Sequence, residues 1–132
     1  MKTVLLLLLI APVVQAITPE DVERLLPALV AVESGGRADA VGDGGLAVGV
    51  LQIHPITVKD CNRILGKDWF SLNDRFNPSR SRAMARVYFH HYGKNWTVEQ
   101  AARCWNGGPS GWKKPATLNY WEKVKRELDA IQ

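Results

Sequence analysis

The segment from Leu29 to Ile53 constrains the fold more than any other part of the chain. An apolar run at residues 29–32 ends in Glu33-Ser34-Gly35-Gly36, glycines then crowd residues 35–49, and a second apolar run ends at Ile53. The first run lacks both strict alternation and turn residues, which favours a helix that carries Glu33 in its last turn. Because so many glycines exclude a regular helix after residue 34, we predict an irregular loop or small hairpin there, with backbone close to a ligand.

Glu33 stands where a carboxyl group is difficult to ionise. The helix C-terminus carries partial negative charge, and neighbouring Val and Leu side chains would remove water from the carboxylate. Both effects raise the pKa, as a general acid near neutral pH requires. The alternative is a solvated carboxylate at a helix end, which is what most such glutamates are.

The first sixteen residues are typical of a secretory signal. Lys2 precedes an apolar run of mostly Leu and Val, and Val14-Gln15-Ala16 provides small residues for cleavage before Ile17. The run is too short for a permanent transmembrane helix, and no Cys follows it to accept a lipid. We therefore expect a periplasmic or secreted protein without a membrane anchor, in which residues 17–132 form a single domain.

Composition narrows the choice of partners and bonds. The net charge is +4, which is compatible with an anionic wall polymer and equally with an ordinary solvated surface. Cys61 and Cys104 are the only cysteines. An oxidising compartment would allow a disulfide between them, worth roughly 4 kcal/mol in the chain-entropy model, and the alternative is two separate buried thiols.

The remaining sequence predicts a mostly α domain with at most a small β element beside Glu33. Helix starts are indicated by a capping residue or a first-turn proline, at Thr18-Pro19, Pro55, Asn77-Pro78, Thr97-Val98-Glu99-Gln100 and about Thr117. Pro27 must kink or divide the first helix. The last helix should bury an apolar stripe made of Tyr120, Trp121, Val124, Leu128 and Ile131.

Four short motifs, in order, resemble the catalytic domain of the soluble lytic transglycosylases. They are Glu33-Ser34, the Gly49–Ile53 segment, Trp105-Asn106-Gly107-Gly108 and Tyr120. The resemblance implies a lysozyme-like α+β fold, shared with goose-type lysozymes. Trp105 replaces the family's Tyr, and Leu51 replaces its Met.

The resemblance also implies a reaction on peptidoglycan. Glu33 would protonate the leaving oxygen of a β-1,4 glycosidic bond, and the 6-hydroxyl of N-acetylmuramic acid would close onto the anomeric carbon, leaving a 1,6-anhydro sugar. Ser34, Gln52, Asn106 and Tyr120 would orient Glu33 and the N-acetyl group. Their ordinary alternatives are helix caps for Ser34 and Asn106, a loop position for Gln52 and the core for Tyr120.

Asp43 could change that reaction. Gly42-Asp43 lies six residues before Gly49, where goose-type lysozymes carry an Asp, and a second carboxylate that holds a water would make the enzyme an inverting hydrolase. The alternative is a turn residue, since Asp-Gly is a common turn former. His54, which follows Ile53, is expected to be a loop or helix-cap residue. A third hypothesis is a wall-binding module without catalysis.

Other features exclude further classes of function. The three histidines have no ligand spacing with Cys or acidic residues, and no phosphate loop or nucleic-acid motif is present, so we expect neither metal nor cofactor and no nucleic-acid partner. Trp105 and Trp112 are candidates for stacking on sugar faces. No partner interface is readable, and we expect a monomer.

Overall fold

The computed structural model describes residues 9–11 and 14–131, which form a mostly helical single domain with one small sheet. The predicted signal segment lies largely outside the described residues. The main elements are α1 (Pro19–Ser34), β1 (Val41–Gly42), β2 (Ala47–Val48), α2 (Pro55–Leu65), α3 (Pro78–Tyr92), α4 (Val98–Gly107) and α5 (Leu118–Ala130). Short 3-10 turns occupy Asp43–Gly45, Leu72–Phe76, Gly111–Lys113 and Pro115–Thr117. This confirms the predicted α+β fold class.

Helix α1 begins and ends where the sequence predicts. The Thr18 side chain accepts a hydrogen bond from the backbone N–H of Asp21, and the Asp21 carboxylate accepts one from the backbone N–H of Thr18. The helix ends at Gly35, whose left-handed φ of 62° suits glycine. Pro27 lies within one continuous helix, so of the two alternatives division of the helix is excluded. Glu33 therefore sits in the last turn.

The core forms around α1, which packs against α3, α4 and α5. Its fully buried members include Leu25, Leu26, Leu29, Leu51, Ile53, Met84 and Val124. Each such side chain contributes roughly 1.5–3 kcal/mol through burial. The predicted burial of Ile131 is wrong, since this side chain is 59% exposed. It follows Ala130, the last residue of α5, and lies beyond the packed part of that helix.

The predicted hairpin is confirmed as the antiparallel pair β1–β2, with Val41 opposite Val48. Directly after it, Gly49 has φ +82°, and a Cβ at this position would lie 1.8 Å from the carbonyl oxygen of Arg75. Only glycine fits so close an approach. The buried Arg75 guanidinium donates to the carbonyl oxygens of Leu46 and Ile53, both at 3.0 Å. A cation from a distant turn thus holds the hairpin in place.

The cysteines form no disulfide. Both are free and buried. The Cys61 thiol donates to the carbonyl oxygen of Met84 at 3.4 Å, and the Cys104 thiol donates to that of Pro109 at 3.5 Å. The disulfide alternative is therefore wrong for this structure, in which each thiol is a small buried group of the core.

Within the ranges that the structure describes, no helix combines the length and the apolar character needed to cross a bilayer.

Candidate active site

A cleft of about 890 Å³ opens between the end of α1, the hairpin, α2 and the start of the loop after α4. Glu33, Asp43, Gln52, His54, Trp105 and Asn106 are among the side chains that line it. The elements that meet here are far apart in the chain. Five of the predicted site residues therefore share one cavity, together with His54.

Glu33 is the most perturbed carboxyl group of the cleft. Loss of water on burial raises its pKa from 4.5 to about 7. The hydrogen bond from Tyr120 opposes that rise, the negative charge of Asp43 adds to it and the charge of His54 lowers it slightly. At neutral pH a substantial fraction of Glu33 is thus protonated and able to give up a proton.

Tyr120 aims the acid. Its hydroxyl donates to Oε1 of Glu33 at 2.8 Å, across 87 residues of sequence. Helix α5 packs against α1 and brings the two side chains together. Burial, together with the neighbouring carboxylate, raises the pKa of Tyr120 well above 10, so the phenol keeps its proton. One oxygen of the Glu33 carboxyl is therefore held by Tyr120.

Ser34 and Gln52 support the backbone rather than the acid. The Ser34 hydroxyl donates to the carbonyl oxygen of Val50 at 2.8 Å. The Gln52 amide donates to the carbonyl oxygens of Ala40 at 3.1 Å and Gly49 at 3.0 Å. The Ser34 bond joins the end of α1 to the segment that follows the hairpin, and the Gln52 bonds join the two segments that flank the hairpin. These bonds fix the backbone beside the cleft, which Gln52 lines. Among the described residues neither side chain forms a hydrogen bond to Glu33, and their predicted contact with the N-acetyl group stays a prediction.

Asp43 faces the cleft from the hairpin. Its φ of +50° is left-handed, a conformation that Asp tolerates better than most residues. Its carboxylate oxygen Oδ2 lies 2.8 Å from Nε2 of His54. Asp43 is therefore both the turn residue and the cleft residue that the sequence left as alternatives. His54 precedes α2, where its side chain forms no capping hydrogen bond.

The candidate sugar-contacting residues fall into two groups. Trp105 and Asn106, at the end of α4, line the cleft. The Trp105 ring packs edge-on against Tyr88, with centroids 5.4 Å apart, which limits its movement. Trp112 lies in the turn Gly111–Lys113 and is not among the cleft-lining residues, and the Lys113 ammonium lies 5.3 Å from its ring centroid. Its predicted role in binding is untested.

Sequence reasoning missed three contributors to the site. His54 is the N-cap residue of α2, as predicted, but its contact with Asp43 was not predicted. Arg75 was not singled out, and a polar cluster of Asp60, Arg63 and Tyr92 in the lining of the cleft was overlooked. A lone Arg in a turn gives no signal of its own, because its partners are backbone carbonyls.

Among the described residues no group of three or more His, Cys, Asp or Glu side chains could hold a metal ion.

Comparison with known proteins agrees with this geometry. The family model of the transglycosylase SLT domain matches residues 14–128. A lysozyme of Ostrea edulis is 33% identical over 133 residues, covering 96% of each chain. An invertebrate-type lysozyme of Ruditapes philippinarum is 33% identical over 112 residues, covering 79% of each chain. The chain therefore belongs to the transglycosylase SLT domain family, within the lysozyme-like superfamily of enzymes that cleave glycosidic bonds.

Proposed function

We propose that this protein is a muramidase that cleaves the β-1,4 bond between N-acetylmuramic acid and N-acetylglucosamine in peptidoglycan. The observation that carries the proposal is Glu33, a partly buried carboxyl group in a large cleft, with a pKa raised to about 7 and one oxygen held by Tyr120. Family membership and the names of the relatives support the same class of reaction.

Glu33 acts first as the general acid. Its proton passes to the glycosidic oxygen while positive charge develops on the sugar ring, and the leaving sugar departs with its hydroxyl restored. If Asp43 activates water, the proton of that water passes to Asp43, and Glu33 regains its own proton from solvent. Asn106 and Trp105 line the same cleft and are proposed to contact the N-acetyl group and the sugar face.

Water is the nucleophile that we favour, because of Asp43. This second carboxylate lines the same cleft, and its negative charge raises the pKa of Glu33. Most glycoside hydrolases use two carboxyl groups whose different environments suit one to act as an acid and the other as a base or nucleophile. The relatives in Ostrea edulis and Ruditapes philippinarum are named lysozymes, which supports this choice. We therefore prefer hydrolysis to the transglycosylase reaction, which the sequence motifs favour.

The lytic transglycosylase reaction is the second candidate. The SLT domain model covers most of the chain, and one oxygen of Asp43 is engaged by His54. In this reaction the muramic acid 6-hydroxyl attacks the anomeric carbon, Glu33 takes up its proton, and a 1,6-anhydro sugar forms without a second carboxylate.

Mass spectrometry of intact wall digested by the purified protein separates the candidates. Hydrolysis yields reducing-end muramic acid, and the transglycosylase reaction yields anhydro products lighter by the mass of one water. Wall that is bound and not cleaved contradicts both reactions and supports the wall-binding hypothesis.

Export is part of the proposal. We propose that residues 1–16 are removed and that the enzyme works as a monomer in the periplasm or outside the cell. The Leu-rich start and the small residues before Ile17 support removal of this segment. N-terminal sequencing and the molar mass of the exported protein test both points.

A further inference from the structure

A second groove lies on the other side of α2 from the cleft. It has a volume of about 730 Å³ and is lined by α2 and by the loop that follows it, up to Leu72. Lys59 and Arg63 line both the groove and the cleft. Helix α2 therefore separates two neighbouring depressions, and the side chains of Lys59 and Arg63 border both.

The groove has an excess of positive charge. Its charged lining consists of Lys59, Arg63, Lys67 and Asp68. Arg63 pairs with Asp60, with Nη2 2.7 Å from Oδ1. Among the described residues, by contrast, neither Lys59 nor Lys67 takes part in an ion pair. Two ammonium groups are thus free to meet an anionic ligand.

The wall of the groove is built before any ligand arrives. The Asn62 side chain donates to the carbonyl oxygen of Phe70 at 2.8 Å and accepts from the Phe70 backbone N–H at 2.9 Å. This pair of hydrogen bonds ties the loop to α2. The Lys67 ammonium lies 4.2 Å from the ring centroid of Trp69, a half-exposed side chain, which positions the cation at the groove.

From these observations we propose that the groove is a subsite for the acidic peptide attached to the muramic acid of the glycan strand. This inference rests on the proposed function. A glycan strand in the cleft carries its peptide on the lactyl group as a side branch, and this branch needs a second surface beside the cleft. The groove is such a surface, and its lysines Lys59 and Lys67 complement the peptide's carboxylates.

The test compares two substrates that differ only in the peptide: intact wall, and the same glycan after its peptides are removed by an amidase. The measured quantity is the ratio of kcat/KM on the first to kcat/KM on the second. Reversing one exposed charge in Lys67→Glu should lower this ratio about fivefold to tenfold. Lys123→Glu, an equal charge change on the exposed face of α5, should leave the ratio at its wild-type value.

Each outcome is decisive. A fall of the ratio in Lys67→Glu alone supports the subsite. An unchanged ratio, in a variant that still cleaves both substrates, overturns it and leaves the muramidase proposal standing. A wild-type protein that cleaves neither substrate overturns the proposed function itself. Binding of a soluble muramyl peptide to the Glu33→Gln variant, measured by calorimetry, gives a second readout, and it should weaken when Lys67→Glu is added.

Discussion

Glu33 and Asp43 share one cleft, yet the chain holds them in opposite ways. Glu33 lies in the last turn of a sixteen-residue helix, is partly buried, and accepts a hydrogen bond from a residue 87 positions away. Asp43 sits in a short turn, with 67% of its side chain exposed, and is held by His54, eleven positions away. The two carboxyl groups therefore differ in hydration and in the range of the contacts that hold them.

The difference in hydration gives the two carboxyl groups different chemical roles. Packing of α5 on α1 removes water from Glu33 and so keeps a proton available near neutral pH. The turn keeps Asp43 exposed to water, and the negative charge of Asp43 raises the pKa of Glu33. A pair of carboxyl groups separated in this way can serve as acid and as charge or base.

Glu33→Gln should have the largest effect. The amide cannot donate a proton to the glycosidic oxygen, and we expect wall cleavage to fall about a thousandfold. Turbidity clearing of wall suspensions measures the loss, and co-sedimentation should show that binding to the wall persists. Glu127→Gln, an exposed position on α5, is the matched control and should keep full activity. Cleavage within tenfold of wild type would contradict the assignment of Glu33 as the acid.

Asp43→Asn comes next and decides the nucleophile. If Asp43 activates water, kcat/KM should fall about a hundredfold, whereas a transglycosylase should keep nearly normal turnover. Removing this negative charge should also lower the pKa of Glu33, because the charge of Asp43 raises it. The alkaline limb of the pH profile should then move to lower pH. An unchanged rate with anhydro products would exclude hydrolysis through Asp43.

The sequence predicts Glu33 and its raised pKa because both follow from local features: an apolar run, a helix end and two glycines. The partnership with Tyr120 follows from the motif resemblance, since nothing local at residue 120 indicates a partner at 33. The pair of Asp43 and His54 was not predicted. It depends on a left-handed turn and on the closure of the hairpin by Arg75, which are long-range packing events without a sequence pattern.

The same unevenness appears in the fold. Helix boundaries were predicted well, since prolines, capping boxes and glycines mark them locally. Burial at the end of α5 was not, because periodicity alone cannot tell where neighbouring elements stop covering a helix. The hydrogen bonds of Ser34 and Gln52 were not predicted either, because their partners are backbone carbonyls of the segments that flank the hairpin.

Glu33→Gln should also change stability, with a sign set by pH. The pKa of Glu33 is about 7 in the folded protein against 4.5 as the ordinary value. Between these values the folded state binds the extra proton, so its stability falls as pH rises, and the whole penalty is present above pH 7. The variant should therefore be more stable than wild type at pH 8, by on the order of 1–3 kcal/mol after allowance for partial exposure, and nearly equal to it at pH 4.

Urea unfolding at the two pH values measures this difference. Glu127→Gln serves again as the control, and its stability relative to wild type should not change between pH 4 and pH 8 in the same way. A Glu33→Gln variant that gains no stability at pH 8 would show that the acid is not desolvated, and the comparison with Asp43 would lose its basis.

Tyr120→Phe should have a smaller effect on rate and a clear effect on pH dependence. The lost hydrogen bond favours the carboxylate form of Glu33, so its removal raises the pKa of Glu33. The alkaline limb of kcat/KM should move to higher pH, opposite to the shift in Asp43→Asn. Without the hydrogen bond that orients the Glu33 carboxyl, the maximal rate should fall a few-fold. A limb that stays in place would mean that Tyr120 does not touch the acid in the working enzyme.

His54→Ala should have the smallest effect, because His54 contacts Asp43 and positions it. Losing the contact at 2.8 Å frees the Asp43 side chain, and hydrolysis should slow about threefold. His54→Gln, whose amide can donate to Asp43 without a charge, should restore much of that loss, whereas His90→Ala on the exposed face of α3 should cost nothing. In an Asp43→Asn background, His54→Ala should add no further loss, since the residue that it positions has already changed. Additive losses in that double variant would mean that His54 contacts the substrate independently, and the hairpin side of the cleft would then hold two separate contributors.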